Sequence, residues 1–371
     1  ESRRNRWSST ADGRRCAVSE LTITTSRGQY PVEVANGSLA GAFSEARVVV
    51  VDEAVAECVR GLAPTIVVAG GEETKTLLGC EAILEQLSDL GVRRGDTLVA
   101  VGGGSVQDAA TFVSSFYLRG IPWVYGPSTA MSMLDSCIGG KSSINVAGVE
   151  NLGGSIYPPS RVVVDPVLAE SLDVTAVVSG LAEAVKICFA RGPESFAEFI
   201  ALAGPAIKYG RSSIALTMHV LRSKQWFIEV DEFDRKERQL LNFGHTFGHA
   251  LEAASTFRIP HGVAVAMGVV AAIRHPVSAR TRQAEQLDVY SRALLAAVAD
   301  RLPRWSSDLD WDAFDRAVIA DKKGTRESLR IIVPGAAGGL LVAELPRNAE
   351  AIAGIRAVAS ETIDDLVSGA G

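Results

Sequence analysis

The sequence predicts an α/β domain with a doubly wound parallel sheet, followed by an all-α or mainly helical domain. Short runs rich in valine and isoleucine alternate with amphipathic stretches in the first half of the chain, a pattern typical of β-α-β units. After about Leu172, alanine and leucine dominate, and helical periodicity continues to about Ala320. We therefore expect a disordered tail over residues 1–20, the α/β domain over 21–172 and the helical domain over 173–371.

Apolar, β-branched runs predict the individual strands. The stretch from Leu21 to Val34 is typical of an antiparallel hairpin at the edge of a sheet. A helix is expected over Thr74–Leu90, and one late strand over Leu329–Val333. Buried parallel strands are predicted at Arg47–Asp52, Thr65–Ala69, Thr97–Val101, Pro122–Tyr125 and Arg161–Asp165.

Composition excludes several classes of partner. The formal net charge of -6 gives no general attraction to nucleic acid, and no apolar run reaches the roughly 18 residues that span a bilayer. The first fifteen residues are polar and rich in arginine, which argues against a secretory signal. The five cysteines have no paired spacing, as expected of thiols in a reducing compartment. We expect a cytoplasmic protein with no nucleic-acid or membrane partner.

A predicted strand that runs into three glycines indicates a dinucleotide site. Gly102, Gly103 and Gly104 would let backbone N–H groups approach a pyrophosphate at a helix N-terminus. Asp108 is expected in the first turn of that helix, where it would bind a ribose or nicotinamide group, or simply favour the helix dipole. A tight turn without a ligand is the alternative, and the run is not the G-x-G-x-x-G of ordinary Rossmann dehydrogenases.

Two other predicted strand ends carry polar side chains. Asp52 is placed to accept a hydrogen bond from a ribose hydroxyl, while Glu72 and Lys75 could clamp a ribose and a phosphate. A solvated loop is the alternative for the second pair. Because the carboxyl ends of parallel strands meet at one edge of a sheet, we expect these groups to lie near the glycine run.

Three of the five histidines lie close together in the sequence. His245 and His249 belong to a helix-like stretch, Arg238–His249, and are four residues apart, so they share one helix face. His261 follows after a short gap and can fold back toward the same point. Histidines that line a core are the alternative, but the glycines in the same stretch thin the helix and favour a site.

A carboxylate for the same site is found on another predicted helix. Glu183 and Lys186 are three residues apart among apolar neighbours, so we expect their ion pair to be at least partly buried rather than on the surface. Glu183 with His245 and His261 would form a two-histidine, one-carboxylate site with open positions. Such a ligand set suits zinc, or cobalt in its place.

Taken together, these motifs resemble those of the 3-dehydroquinate synthases, within the wider group of sugar phosphate cyclases. The resemblance covers the chain from about Asp52 to Val333 and implies a dehydroquinate synthase-like fold. The motifs that carry it are Gly102-Gly-Gly-x-x-x-Asp108, Tyr117-Leu-Arg119-Gly, Gly139-Gly-Lys141, Gly180-Leu-Ala-Glu183-x-x-Lys186, Arg238-x-Leu-Leu-Asn242-Phe-Gly-His245-Thr-x-Gly-His249, Pro260-His261-Gly and Asp321-Lys-Lys323.

The resemblance implies a role for each candidate residue. The metal would be held by Glu183, His245 and His261. The substrate phosphate would be bound by Lys141, Asn151, His249 and Lys323, with Arg119 from the neighbouring subunit of a homodimer. The substrate carboxylate would be bound by Lys224 and Arg238, and its hydroxyls by Asp135, Lys186 and Asn242. The NAD site would be lined by Asp52, Glu72, Lys75, Gly103, Gly104, Asp108, Ser128, Thr129, Ser171 and Leu172. The catalytic set would be Lys141, Lys186, Asp135, Asn242 and His249.

The resemblance implies conversion of 3-deoxy-arabino-heptulosonate 7-phosphate, a seven-carbon sugar acid, to 3-dehydroquinate and phosphate. The steps would be transient oxidation by NAD, phosphate elimination, reduction and intramolecular aldol closure. Lys224 and Arg238 favour a substrate with a carboxylate. The amino analogue of this substrate, which leads to amino-dehydroquinate, also carries a carboxylate, so an amino-dehydroquinate synthase is an alternative. Valiolone and scyllo-inosose synthases are further alternatives.

Two hypotheses outside the cyclases are also considered. A metal-dependent polyol dehydrogenase would share the two-domain plan but would not need the cage of Lys141, Asn151, Arg238 and Lys323. A catalytically inactive relative is disfavoured, because every expected metal ligand is present.

The chain departs from the family pattern near the expected nucleotide. Glu150 stands where the family usually has a lysine, and Ser142–Asn145 differs from the commoner run. We expect Glu150→Lys to tighten NAD binding if that side chain faces the cofactor. Such differences favour a specialised pathway.

Overall fold

The computed structural model describes residues 18–147, 149–209, 212–321 and 324–368. The chain divides into two compact units, Glu1–Ser171 with Arg211–Gln225, and Leu172–Gly210 with Trp226–Gly371. The segment Arg211–Gln225 therefore groups with the first unit, although the sequence prediction kept it in the helical domain. The domain limits drawn from the sequence stay a prediction.

The first unit is built on a seven-stranded sheet, which consists of β1 Ser19–Thr25, β2 Gly28–Val34, β3 Ala46–Asp52, β4 Thr65–Val68, β5 Thr97–Gly102, β6 Trp123–Pro127 and β9 Arg161–Val164. All neighbouring pairs are parallel except β1 and β2, which form the antiparallel edge hairpin predicted from the sequence. The middle of β3, Val48–Val51, is completely buried, as expected of a strand that is covered on both faces. The strands lie in the order β1-β2-β9-β6-β5-β3-β4.

The predicted tail is too long by two residues within the part of the chain that the structure describes. Ser19 and Glu20 already belong to β1, because they pair with Val34 and Glu33. Residues 1–17 lie outside the described ranges.

A second antiparallel hairpin in this unit was not predicted. Strands β7, Lys141–Val146, and β8, Val149–Ile156, pair with each other and form a separate two-stranded sheet. The hairpin packs against helix α2, Gly104–Phe116, which follows α1, Leu77–Asp89. Its serines, asparagines and glycines lack the apolar alternation that marks a strand in a sequence.

The second unit is mainly helical, as predicted. Helix α7, His261–Arg274, is buried almost throughout, and α3, Val174–Arg191, is buried from Val177 to Phe189. The helices are α3 Val174–Arg191, α4 Pro193–Tyr209, α5 Ile214–Val230 (which the division between the units cuts after Gln225), α6 His245–Ala254, α7 His261–Arg274, α8 Arg282–Ala296, α9 Leu302–Ser306, α10 Trp311–Ala320 and α11 Ala349–Ser368. None of the helices that the structure describes is long and apolar enough to cross a membrane.

This unit is not wholly α-helical. Strand β10, Ser328–Pro334, contains the predicted late strand and pairs with β11, Leu340–Pro346, which was not predicted. The expectation of an all-α domain is therefore corrected to a helical domain with one β-hairpin.

The predicted continuous helix over Arg238–His249 is also corrected. The backbone forms a 3-10 turn over Glu237–Asn242, is extended at Phe243 and then adopts a left-handed conformation at Gly244. Helix α6 begins only at His245, so His245 and His249 do share a helix but Arg238 does not belong to it.

Three glycines bring α6 and α7 into close contact. A Cβ atom on Gly268 of α7 would lie 2.1 Å from the carbonyl oxygen of Gly244 and 2.8 Å from the nitrogen of Gly248. These are backbone atoms, which have no freedom to move aside. The close approach fixes the start of α6, and with it the position of His245.

Candidate functional site

The glycine run of the first unit makes a tight connection between β5 and α2. A Cβ atom on Gly102 would lie 2.6 Å from Val106, and one on Gly103 would lie 3.0 Å from the Thr129 methyl group. The backbone nitrogen of Ser128 donates to the carbonyl of Gly102. Ser128 and Thr129 therefore lie against the predicted pyrophosphate turn, beside the N-terminus of α2, which begins at Gly104.

Lys75 contacts several of the polar groups at this edge of the sheet. Its side chain is buried, and its Nζ lies 3.0 Å from Oδ1 of Asn151, 3.5 Å from Oδ2 of Asp108 and 3.4 Å from Oε2 of Glu72. An ammonium group has three N–H donors, and three acceptors surround it here. Lys75 is therefore not part of a solvated loop, which was the alternative considered from the sequence. Glu72, by contrast, is exposed to solvent.

Asp108 lies in the second turn of α2, not in the first turn as predicted. Its Oδ1 accepts from the backbone nitrogen of Ser143 at 3.1 Å, and its Oδ2 lies 3.1 Å from the Ser143 hydroxyl. Burial raises the pKa of Asp108, although Lys75 and Ser143 act in the opposite direction. The unpredicted hairpin, rather than the helix dipole, therefore holds this carboxylate.

Sequence reasoning missed the part that Ser143 and Asn145 play at this edge. The Ser143 hydroxyl lies 2.7 Å from Oδ1 of Asn151, and Nδ2 of Asn145 donates to Oε2 of Glu72 at 2.8 Å. Oδ1 of Asn145 accepts from the backbone nitrogen of Asn151 at 2.9 Å. Their run was noted only as a departure from a family pattern, and no sequence signal placed it in a hairpin.

The remaining predicted cofactor residues are less closely connected. Asp52 ends β3 and accepts from the backbone nitrogen of Ala54, and a Cβ atom on Gly70 would lie 2.6 Å from its carboxylate. Ser171 is exposed at the end of a 3-10 turn, and Leu172 follows it. The roles of these residues stay predictions.

Lys224 and Asp135 form a partly buried ion pair in the first unit. Nζ of Lys224 lies 2.6 Å from both Oδ1 and the main-chain oxygen of Asp135. The family resemblance implied that the lysine binds a substrate carboxylate and that the aspartate contacts substrate hydroxyls. The structure brings the two groups together, so a ligand that binds either one must also meet the other.

Arg119 lies in a strained turn of the first unit. Leu118 and Arg119 both have a left-handed backbone, with φ of 50° and 67°, which is unfavourable for residues other than glycine. The guanidinium of Arg94 donates to the Leu118 carbonyl at 2.9 and 3.2 Å. Arg119 itself is exposed. Lys141, the first residue of β7, is half-buried.

The second unit assembles the predicted metal ligands. Glu183 projects from the buried helix α3, while His245 and His261 are the first residues of α6 and α7. Oε1 of Glu183 lies 3.7 Å from Nε2 of His245 and 3.5 Å from Nε2 of His261. Ligand atoms that each lie about 2.0–2.2 Å from one zinc ion are separated by similar distances.

The two oxygens of Glu183 differ in their partners. Oε2 pairs with the Lys186 ammonium, and both side chains are buried, as predicted. Oε1 is buried and has no hydrogen-bond partner of acceptable geometry. A buried carboxylate oxygen without a partner is unfavourable, and a cation between it and the two imidazoles would satisfy it. The residues present therefore fit a divalent metal.

The charges of Glu183 and His245 also suit a cation. Burial alone would raise the pKa of Glu183, but Lys186 and then His245 outweigh it and hold that pKa well below the usual range. Burial, with the neighbouring Lys186, lowers the pKa of His245. An ionised carboxylate and a neutral imidazole are the forms that bind metal. Burial also lowers the pKa of His261, but Glu183 and Glu252 outweigh it and raise that pKa to about 10.

His249 lies beside this cluster. One ring nitrogen of each of His245, His249 and His261 lies within 4.8 Å of the others, so three imidazoles are an alternative ligand set. The family resemblance implied that His249 binds the substrate phosphate, and its exposure fits contact with a ligand.

The loop before α6 fixes Arg238. The carboxylate of Asp231 accepts from the backbone nitrogens of Arg235, Lys236 and Arg238. The buried Arg238 side chain donates to the carbonyl of Glu232 at 2.7 Å. Arg238 belongs to the 3-10 turn Glu237–Asn242, and in the same turn Nδ2 of Asn242 donates to the carbonyl of Gln239. Lys323 and the side chain of Glu150 lie outside what the structure describes.

Solved structures share this fold. This chain is similar to 2-deoxy-scyllo-inosose synthase crystallised with carbaglucose-6-phosphate, NAD+ and Co2+, with a TM-score of 0.76 and 22% sequence identity. The match covers 92% of this chain and 99% of that one. The 2-epi-5-epi-valiolone synthase of Streptomyces hygroscopicus subsp. jinggangensis 5008, solved with NAD+ and Zn2+, has a TM-score of 0.74 and 22% sequence identity. The match covers 95% of this chain and 99% of that one. A probable glycerol dehydrogenase from Sinorhizobium meliloti 1021 is more distant, with a TM-score of 0.60 and 16% sequence identity over 91% of this chain and 96% of that one.

Sequence comparison is more specific. The family models for the N-terminal and C-terminal parts of 3-dehydroquinate synthase match residues 65–179 and 180–324. A curated 3-dehydroquinate synthase from Streptococcus pneumoniae (strain ATCC 700669 / Spain 23F-1) is 32% identical over 269 residues, which is 71% of this chain and 74% of that protein. The enzyme from Streptococcus pneumoniae (strain 70585) is 31% identical over 278 residues, which is 73% of this chain and 76% of that protein. The chain belongs to the 3-dehydroquinate synthase family.

Proposed function

We propose that this protein is a sugar phosphate cyclase that converts 3-deoxy-arabino-heptulosonate 7-phosphate to 3-dehydroquinate and phosphate. Family membership supports the class of reaction. The observation that carries it for this chain is the buried cluster of Glu183, Lys186, His245 and His261, in which one carboxylate oxygen has no hydrogen-bond partner. That arrangement provides a place for a cation and, beside it, a buried ammonium.

The nucleotide would bind at the edge where β3, β4 and β5 end. NAD would supply reversible oxidation of a substrate hydroxyl, so that no net redox change remains after each turnover. The start of α2 would bind its phosphates, and Asp108, held by Ser143 and Lys75, would accept hydrogen bonds from its polar groups. The NAD+ in the two solved cyclases supports this cofactor for the present chain.

Glu183, His245 and His261 would hold one zinc or cobalt ion, which would supply a Lewis acid for a substrate oxygen. Lys186 keeps Glu183 ionised. We assign its ammonium group to a substrate hydroxyl, which would accept a hydrogen bond or a proton from it. Two imidazoles and one carboxylate leave open positions in the ligand shell, as catalytic sites require.

The anionic ends of the substrate would be bound by basic side chains. Arg238 is buried in the 3-10 turn Glu237–Asn242, and its backbone nitrogen donates to Asp231, so its planar guanidinium is positioned before a carboxylate arrives. We assign the same carboxylate to Lys224, and the phosphate to Lys141, Asn151, His249 and Lys323. For Asn151, Nδ2 is the end that would reach the phosphate, because Lys75 and Ser143 engage its Oδ1.

Homodimerisation and a cytoplasmic location belong to the same proposal. The exposed Arg119 in its strained turn supports a contact with a second subunit. The buried thiols of Cys80 and Cys137 support a reducing compartment.

The deciding experiment measures phosphate release with NAD and cobalt from two substrates in parallel, the heptulosonate phosphate and sedoheptulose 7-phosphate. The Glu183→Gln variant is the control. Release from the first substrate alone, without lasting NADH absorbance, is expected, and the amino analogue is then compared.

Other outcomes would favour the rivals. Release from sedoheptulose 7-phosphate would favour a valiolone-type cyclase and contradict the role given to Lys224 and Arg238. Lasting NADH without phosphate would favour a polyol dehydrogenase. No turnover of either substrate would contradict the proposal.

A further inference from the structure

Glu252 is a half-buried carboxylate that no step described so far has used. It lies on α6, seven residues after His245 and three after His249, so the three side chains share one face of that helix. Its Oε1 lies 3.1 Å from Nδ1 of His261, the first residue of α7. The contact ties the start of one helix to the face of the other.

This contact determines which nitrogen of His261 can bind a metal. A carboxylate accepts the Nδ1–H, so Nε2 is the nitrogen whose lone pair would be available to a metal. Nε2 is the atom that lies 3.5 Å from the orphaned Oε1 of Glu183. The ring of His261 is thus held between two carboxylates, one on each nitrogen.

His245 is held in a different way. Its Nδ1 lies 3.3 Å from the main-chain carbonyl of Phe243, and its Nε2 faces Glu183 at 3.7 Å. The two imidazoles therefore have unlike outer partners, a neutral carbonyl for one and a carboxylate for the other. A carboxylate makes the imidazole that donates to it a stronger metal ligand, while a carbonyl does so less.

We propose that Glu252 is a positioning residue for the metal centre, which orients His261 and strengthens it as a ligand. The inference rests on the proposed function only in assuming that Glu183, His245 and His261 hold a metal. Outer carboxylates of this kind are worth about 10–100-fold in metal affinity.

Two substitutions separate orientation from charge. Glu252→Gln keeps an oxygen that can accept from Nδ1 but removes the charge, whereas Glu252→Ala removes both. We expect cobalt affinity, measured by competition with a chromophoric chelator, to fall about 10-fold in the first variant and about 100-fold in the second. Glu285→Gln, an exposed acid on α8, is the control and should leave the affinity unchanged.

The test reads the metal alone, so it is separate from turnover. The visible absorption of bound cobalt should change in Glu252→Ala, because the orientation of one ligand is lost. Thermal unfolding of the metal-free Glu252→Gln variant should match that of the parent. Equal cobalt affinity in all three variants would overturn the inference. Cobalt binding without phosphate release would contradict the cyclase function and leave this inference standing.

Discussion

Glu183 places two unlike environments on one side chain. Its Oε2 meets the Lys186 ammonium, and its Oε1 faces the rings of His245 and His261. The lysine offsets part of the cost of burying the carboxylate, and the remaining oxygen is available to a cation. The carboxylate is therefore kept in its charged form whether or not a metal is bound.

Substitutions of the cluster should separate the two possible ligand sets. We expect Glu183→Gln and His261→Ala to lose stoichiometric cobalt after dialysis, because each removes a donor that faces the orphaned position. His249→Ala should retain the metal and lose phosphate release. Metal analysis of the dialysed proteins checks this.

The opposite pattern would change the assignment. Full cobalt occupancy in His261→Ala would remove His261 from the ligand set. Loss of cobalt in His249→Ala would favour the three-imidazole site that the ring distances also permit.

Ser143 offers a second test at the scale of single residues. Its hydroxyl touches Asp108 and Asn151, so Ser143→Ala should weaken NAD binding by about 1–2 kcal/mol, or roughly 5- to 30-fold. Titration calorimetry with NAD measures the change.

The neighbouring serine supplies a matched control. Ser142 lies on the other face of β7, where its hydroxyl bonds to Ser155. Ser142→Ala should leave NAD binding unchanged, and equal losses in the two variants would show that only the stability of the hairpin matters.

At the scale of elements, the crossing of α6 and α7 sets the position of the histidines. Gly268→Ala would press a methyl group against the backbone of Gly244 and Gly248. We expect it to destabilise the protein by about 1–3 kcal/mol or more and to weaken cobalt binding, because the start of α6 must move. Urea unfolding and the cobalt competition assay measure the two effects.

Gly354 provides the comparison for this change. It lies on the exposed side of α11, and a Cβ atom there would meet nothing within 4 Å. Gly354→Ala should stabilise the helix by about 0.5–1 kcal/mol. A similar gain from Gly268→Ala would show that the two helices can separate freely.

The buried parallel strands could be predicted from their continuous apolar runs, whereas the polar strands β7 and β8 could not be predicted. Val48–Val51 is buried on both faces, so the sequence itself carries the signal. The hairpin β7–β8 is fixed instead by contacts with α2 and by hydrogen bonds to Lys75 and Asp108. Such long-range contacts leave no periodic pattern in the sequence.

The same distinction applies to the candidate site. The spacing of His245 and His249, and the apolar surroundings of Glu183, predicted their grouping. Neither the break at Gly244 nor the contact of Glu252 with His261 could be predicted, because both depend on how α6 packs against α7.

At the scale of the whole molecule, the proposed homodimer can be tested by complementation. If Arg119 serves the site of the other subunit, Arg119→Ala and Glu183→Gln should each be inactive. Re-associated mixtures should regain about a quarter of wild-type phosphate release, since half of the dimers would be mixed and each would have one intact site. No recovery from mixtures shown to exchange subunits would place Arg119 in its own site.

The pairing of β2 with β9 also bears on how the chain folds. Val32 pairs with Val162, so the N-terminal hairpin completes its place in the sheet only after nearly the whole first unit has left the ribosome. Until then one side of β2 is an open edge that could pair with another chain. Pro31 shortens that edge, since it has no N–H to donate, and Glu33 puts a charge on it that later pairs with Arg161. The nascent protein thus carries its own protection against aggregation during the interval before β9 arrives.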